Sequence, residues 1–194
     1  AGTFGQALAA LATAVSPMYL GIASYYSMNA FDLLFWTLGA YVILGILKND
    51  APKGWLLFGL IAGLGLQNKL SMGFFGLGLC VALVLTSNRK YIVSKVDGKF
   101  RPGLYLWAGG ALAMLIFLPH LIWQVLNDWP TIEFARNSIA LHGDSPLVFL
   151  LFQTFGMHPF ALPIWLTGLC FYLFSQRGKR YRMMGIIYVS VFIL

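Results

Sequence analysis

The chain has 194 residues, of which 59% are hydrophobic and 10% charged, with a mean hydropathy of +0.78. Soluble domains carry about 25% charged residues, so the composition excludes a soluble globular domain and predicts an integral membrane protein. The formal charge of +7 would suggest nucleic acid in a soluble protein. In a membrane protein its distribution matters more than its sum, and no nucleic-acid partner is expected.

Taken in order, Thr3 to Ser24 is an apolar, Ala-rich run that Pro17 should kink. Ala1 to Ala14 lacks a basic leader and is too long and too evenly apolar for a signal peptide. Phe31 to Leu47 is a second span with Asp32 at its start, and Lys48 to Lys53 is a turn. Trp55 to Leu66 and Met72 to Thr86 are short apolar runs around Gln67-Asn68-Lys69, which predicts a tight helical hairpin. Gly59 and Gly63 have GxxxG spacing, which lets helices approach closely. Asn88 to Pro102 reads as a basic loop, and Leu104 to Trp123 as a span with Pro119 near its end. A long polar segment follows, then Leu147 to Phe174 with Pro159 and Pro163 inside it, a basic stretch from Gln176 to Arg182, and a last apolar run from Met183. Cys80 and Cys170 lie in apolar runs and read as small core residues, not as a disulfide pair. The chain opens Ala1-Gly-Thr and stops inside its last apolar run, which is shorter than the ~20 residues a span needs, so a piece of a larger protein is expected. The predicted fold is an all-α, polytopic transmembrane helical bundle of about six to seven spans. It is read as a single transmembrane domain over 1–194 with a polar outer loop at 120–145.

Topology follows from the positive charges, because Lys and Arg near span ends stay in the cytoplasm. Lys48 and Lys53 share one loop, Arg89, Lys90, Lys95, Lys99 and Arg101 the next, and Arg177, Lys179, Arg180 and Arg182 the third. If every run crosses, all three loops fall on one side. Of the 13 cations only Lys69 and Arg136 fall on the other. The outer face then receives Asp32, Lys69, His120, Asp128, Glu133, Arg136, His142, Asp144 and His158. The inner charges read as topology anchors.

Among the outer residues, Asp32 follows Asn29 at the mouth of a span. It reads either as a helix N-cap or as a carboxylate lining a wet cavity. Lys69 could simply snorkel to the interface. It also breaks the charge pattern beside Gln67 and Asn68, and a cation there suits an anionic group such as a lipid-linked phosphate. Trp123 and Trp129 could form an interfacial belt or roof a cavity, stacking on sugar rings. His120, His142 and His158 lack metal-ligand spacing, so no metal site is predicted. There is no Walker loop, GxSxG or HExxH, and no internal repeat of the transporter kind.

Four stretches, in order, carry a family likeness: Asn29-Ala-Phe-Asp-Leu-Leu-Phe-Trp36, Trp55-Leu-Leu-Phe-Gly-Leu-Ile-Ala-Gly-Leu-Gly-Leu-Gln-Asn-Lys69, Pro119-His-Leu-Ile-Trp-Gln-Val-Leu-Asn-Asp-Trp-Pro130, and the span from Gln153 to Pro163. Together they resemble the membrane-embedded GT-C glycosyltransferases related to bacterial dolichyl-phosphate-mannose–protein mannosyltransferases and lipid A aminoarabinose transferases. The resemblance implies an inverting enzyme of the bacterial inner (plasma) membrane, which takes a sugar from a polyprenyl-phosphate-linked donor to an acceptor on the periplasmic or external face. Membrane lipids would be its other partners. By position, Lys69 would bind the donor phosphate, and Asn29, Asp32, Asn68 and His120 would line the cavity. Trp123, Asp128, Trp129, Glu133 and Arg136 would contact acceptor or sugar. The chain would start at about the family's third span, which leaves the principal catalytic acid outside it and the catalytic residue unknown. No cofactor is implied for certain; a divalent metal occurs in some relatives. A transporter or flippase of a lipid-linked or small polar substrate is the alternative, disfavoured by how few charges lie at mid-span. A structural subunit without an active site would leave Lys69 without a reason.

Overall fold

The computed structural model describes residues 2–96, 99–141 and 146–193. The chain divides into two compact units, one formed by 1–27 with 120–168, the other by 28–119 with 169–194. Among the described residues the fold is helical apart from one short two-stranded ribbon.

The larger unit is built on helix α3, Met28–Asn49, followed by α4, Gly54–Asn68, and α5, Met72–Leu85. Their apolar residues recur at three- and four-residue steps, and this spacing places one face of each helix inward. Ile43, Ile46 and Leu47 of α3 pack with Trp55, Phe58 and Ala62 of α4 and with Met72, Phe75, Leu79, Ala82 and Leu83 of α5. Met183 and Ile187 complete this core from helix α10, Arg182–Ile193, which lies against α5. Lipid tails are as apolar as these side chains, so association rests on close packing more than on leaving water. Glycines supply that closeness. A Cβ on Gly39 would sit 3.3 Å from Met72 Cε, and one on Gly78 would sit 3.0 Å from the Ile187 carbonyl oxygen.

The GxxxG pair finds a different partner from the one its place in a hairpin suggests. Gly59 and Gly63 of α4 face helix α6, Leu104–Leu126. A Cβ on Gly59 would strike the Gly109 carbonyl, one on Gly109 would strike the Trp55 carbonyl, and one on Gly63 would lie 2.9 Å from Ile116 Cβ. The backbones of α4 and α6 therefore touch where neither helix carries a side chain.

Between α5 and α6 the described residues of the predicted basic loop form a turn and a short ribbon. A 3-10 turn, Ser87–Tyr91, is capped by Thr86, whose hydroxyl accepts from Asn88 N at 3.3 Å. Strands β1, Val93–Val96, and β2, Lys99–Pro102, then pair antiparallel with Val93 opposite Pro102 and Val96 opposite Lys99.

In the smaller unit, helices α1, Thr3–Ala14, and α2, Pro17–Ala23, meet at a bend of 63°. Pro17 opens α2, where a missing N–H costs nothing. Ser16 at the bend is fully buried and donates to the Gly156 carbonyl at 3.2 Å. The segment read as a polar loop at 120–145 is mostly helical. Residues 120–126 are the end of α6, and Pro130–Leu141 form α7; His142 and Asp144 lie outside the described residues. Helix α8, Pro146–Gly156, is followed by a 95° bend, a 3-10 turn at Pro159–Ala161 and helix α9, Leu162–Phe174. His158 takes φ 75° at that bend, and its Nδ1 accepts from Phe160 N at 3.4 Å.

By length and composition, Met28–Asn49 and Leu104–Leu126 can each cross a bilayer, and up to four spans result if each bent pair counts as one. Helices α4 and α5 are apolar but shorter. Long apolar helices with outward-facing residues such as Tyr41 and Leu115 describe an integral membrane protein. Cys80 and Cys170 are free and exposed, which corrects their reading as core residues; helical phase turns both outward.

Candidate functional site

At one end of the larger unit, the tip between α4 and α5 meets the first turns of α3. Helix α4 ends at Asn68, and Lys69 turns to extended backbone (φ −158°) while its N–H still bonds to the Gly65 carbonyl at 2.8 Å. The two residues before it anchor the tip. Gln67 Nε2 donates to the Ile116 carbonyl at 2.6 Å, and Asn68 Nδ2 donates to the Met28 carbonyl at 2.9 Å. Their polar ends are thus spent on backbone oxygens, which leaves Lys69 as the reaching group.

Lys69 Nζ donates to Asn29 Oδ1 at 2.8 Å and lies 3.7 Å from Asp32 Oδ2. Asn29 and Asp32 are three residues apart and so share one face of α3. The other Asp32 oxygen, Oδ1, accepts from Ser71 Oγ at 2.6 Å. Asp32 is not a helix cap, because α3 begins four residues earlier at Met28. Both of its oxygens are engaged and its side chain is 15% exposed, whereas that of Lys69 is 37% exposed. A partly exposed ion pair contributes only about 0–1 kcal/mol to stability. What the arrangement supplies is position: an ammonium held by two partners, with donor capacity left toward solvent. Such a group can bind an anionic oxygen.

Four of the predicted residues, Asn29, Asp32, Asn68 and Lys69, therefore come together, and Ser71 joins them. Ser71 was missed, although it lies two residues from Lys69 in the same turn.

The remaining candidates belong to the smaller unit. His120 Nε2 lies 3.0 Å from Gln124 Nε2, and its ring centroid is 6.3 Å from that of Trp123. Gln124 is 3% exposed; its amide donates to Thr131 Oγ1 and its Oε1 accepts from Thr131 N at 3.4 Å. Its carbonyl also accepts from Trp129 N at 2.9 Å. This one glutamine ties α6 to α7 across a turn in which Asp128 (φ 58°) and Trp129 (φ 57°) are left-handed, a costly conformation for a bulky residue. Gln124 was not singled out, although its spacing of four from His120 puts both on one helix face.

The sharp turn opens a cleft of about 430 Å³ lined by Asp128, Trp129, Ile132, Glu133, Arg136 and Asn137. Glu133 sits in the first turn of α7, where a carboxylate suits the helix dipole, and Arg136 follows one turn later. Four predicted contacts thus share this cleft, and Trp123 stands apart from it beside His120. The cleft offers an aromatic face, two carboxylates and a guanidinium, groups suited to a polyhydroxylated ligand.

Among the described residues no group of three or more His, Cys, Asp or Glu side chains is placed to hold a metal ion. The Lys69 cluster has a single carboxylate already facing an ammonium, which does not fit a divalent cation. Comparisons with curated proteins and with solved structures give no match. The family model for dolichyl-phosphate-mannose-protein mannosyltransferase matches residues 2–123. That is more than half of the chain and takes in both α3 and the Lys69 tip, so the chain belongs to this family of GT-C-type membrane glycosyltransferases.

Proposed function

We propose that this protein transfers a sugar from a polyprenyl-phosphate-linked donor to an acceptor on the periplasmic or external face of a bacterial inner membrane, and that Lys69 binds the donor phosphate. The observation that carries the reading is the held but still exposed Lys69 ammonium, 2.8 Å from Asn29 Oδ1 and 3.7 Å from Asp32 Oδ2.

In an inverting transfer the acceptor oxygen bonds to the anomeric carbon as the bond from that carbon to the phosphate oxygen breaks. Negative charge grows on the departing polyprenyl phosphate, and a fixed cation stabilises it most in the transition state. Asp32 acts as a positioning residue, because its oxygens are engaged by Ser71 and Lys69. The base that takes the acceptor proton is unassigned. The cleft at Asp128, Trp129, Glu133 and Arg136 is proposed as the contact for acceptor or sugar, on its aromatic and carboxylate lining. In this reading the short helices α4 and α5 also cross, which takes up to four candidate spans to six, the lower end of the expected six to seven.

The test uses the full-length protein in membranes with a radiolabelled polyprenyl-phosphate sugar. Lys69→Ala should lower transfer about 10²-fold or more while the protein still inserts. Equal transfer by both proteins removes the phosphate role from Lys69. Donor movement across the bilayer without any transfer would make the protein a flippase.

A further inference from the structure

The end of the larger unit opposite Lys69 holds a second polar site. Helix α3 has 22 residues and is therefore about 33 Å long, with Asn29 and Asp32 near its start and Asp50 just past its end. Around Asp50 the three basic segments converge. Lys90 Nζ and Tyr91 Oη both donate to Asp50 Oδ1, at 2.6 and 2.7 Å. Arg180 Nε donates to the Leu47 carbonyl at 2.7 Å, and its terminal nitrogen donates to the Lys48 carbonyl at 2.8 Å. Those carbonyls are among the last four of α3, which have no partner within the helix, so Arg180 is fixed as a cap.

A cavity of about 560 Å³ opens among these groups, lined by Asp50, Ser87, Lys90, Lys179, Arg180 and Arg182 together with the apolar Leu47 and Leu85. Four cations face one carboxylate. Two further observations mark it as more than a topology anchor. Arg182 Nε is buried and has no hydrogen-bond partner among the described residues, although a buried charged donor is costly when unpaired. The cavity wall at Leu85 also continues into the exposed apolar face of α5, where Val81, Val84 and Leu85 point outward.

We infer that this cavity binds a phosphoryl group, with the headgroup of an anionic phospholipid as its source and the acyl chains lying along α5 at Val81, Val84 and Leu85. A phosphodiester offers acceptor oxygens to Lys179, to the unspent N–H groups of Arg180 and to the guanidinium of Arg182, which lines the cavity, and guanidinium groups match that geometry. The volume suits a headgroup-sized ligand, and basic pockets at helix ends attract acidic lipids. The site is separate from the Lys69 cluster and does not depend on the donor reading.

The test titrates the full-length protein in neutral detergent with short-chain phosphatidylglycerol, with phosphatidylcholine of the same chain length, and with inorganic phosphate. Bound ligand is read by native mass spectrometry. Phosphatidylglycerol should bind at least 10-fold more tightly than phosphatidylcholine. The Lys179→Gln/Arg182→Gln double variant should weaken it about 10-fold, while Lys69→Ala leaves it unchanged. Ser87 is exposed, so Ser87→Asp adds a carboxylate to the cavity without repacking the core, and it should cause the same loss should the double variant not fold. Displacement of the lipid by millimolar inorganic phosphate would keep the phosphoryl site and make a soluble phosphate compound its ligand. Equal binding of the two lipids, or acidic-lipid binding that survives both the double variant and Ser87→Asp, overturns the inference.

Discussion

The two ends of α3 handle positive charge in different ways. At its start a single cation, Lys69, faces Asn29 and Asp32 and keeps over a third of its side chain exposed. At its end, Lys90, Lys179, Arg180 and Arg182 gather round Asp50, and Arg180 is consumed by backbone carbonyls. The first end positions one charge between two polar partners; the second accumulates charge and fixes part of it as structure. A positioned charge suits a transition state, where a small displacement is costly. An accumulated charge suits a resident anion and tolerates variation in any one member. Removing a single cation should therefore matter far more at the first end than at the second.

Replacement of Lys69 is the largest expected effect. Lys69→Ala should reduce sugar transfer about 10²-fold, whereas Lys179→Gln should change the transfer rate less than about twofold. Comparable losses from the two would erase the contrast. Next is the packing on which the first end depends. Gly109→Ala puts a Cβ into the Trp55 carbonyl and should destabilise the protein by about 1–3 kcal/mol, read as a lower unfolding temperature in detergent; unchanged stability would mean that α4 and α6 are not in backbone contact.

A smaller effect separates position from chemistry. Asp32→Asn keeps an acceptor for Ser71 but removes the charge facing Lys69, and transfer should fall about 10-fold. Combined with Lys69→Ala it should add nothing further, since both changes act through one group. Additive losses would give Asp32 a role of its own. The smallest effect tests the second end. The hydrogen bonds from Lys90 and then Tyr91 hold the Asp50 carboxyl below its ordinary value of 3.8, while burial and then Asp50 raise the Tyr91 hydroxyl. A carboxyl lowered in the folded state adds stability that is present above its unfolded value and is lost as pH falls through the folded one. The difference in unfolding temperature between wild type and Asp50→Asn should therefore be constant from pH 7 to about 5 and shrink below about 4. A difference that grows on acidification would contradict this assignment.

Much of the helical framework was legible because lipid demands it. Every backbone polar group in the hydrocarbon layer needs an internal partner, so long apolar runs must be helices, and α3 and α6 emerge within a few residues of the predicted runs. Pro17 marked its bend for an equally local reason, its missing N–H. Asn29, Asp32, Asn68 and Lys69 were named as one group by family likeness, and the hydrogen bonds among them come from the fold. Less legible were features that depend on what lies across a gap. GxxxG spacing announces a close approach but carries no address, and the partner is α6. Gln124 looked like one polar residue among several, yet its burial and its bonds to Thr131 make it the joint between α6 and α7. Ser71 offered no signal beyond its nearness to Lys69.

Composition and apolar run length alone thus determined a helical membrane protein, the approximate course of its longest helices and the segregation of its charges, because these follow from the solvent in which the chain resides. The tertiary structure decided which glycines touch, that Asp32 faces Lys69 from inside α3 instead of capping it, and that three basic segments close around one carboxylate to leave a cavity. Those outcomes turn on the register of one helix against another, which depends on side-chain shape over many contacts and has no local signature.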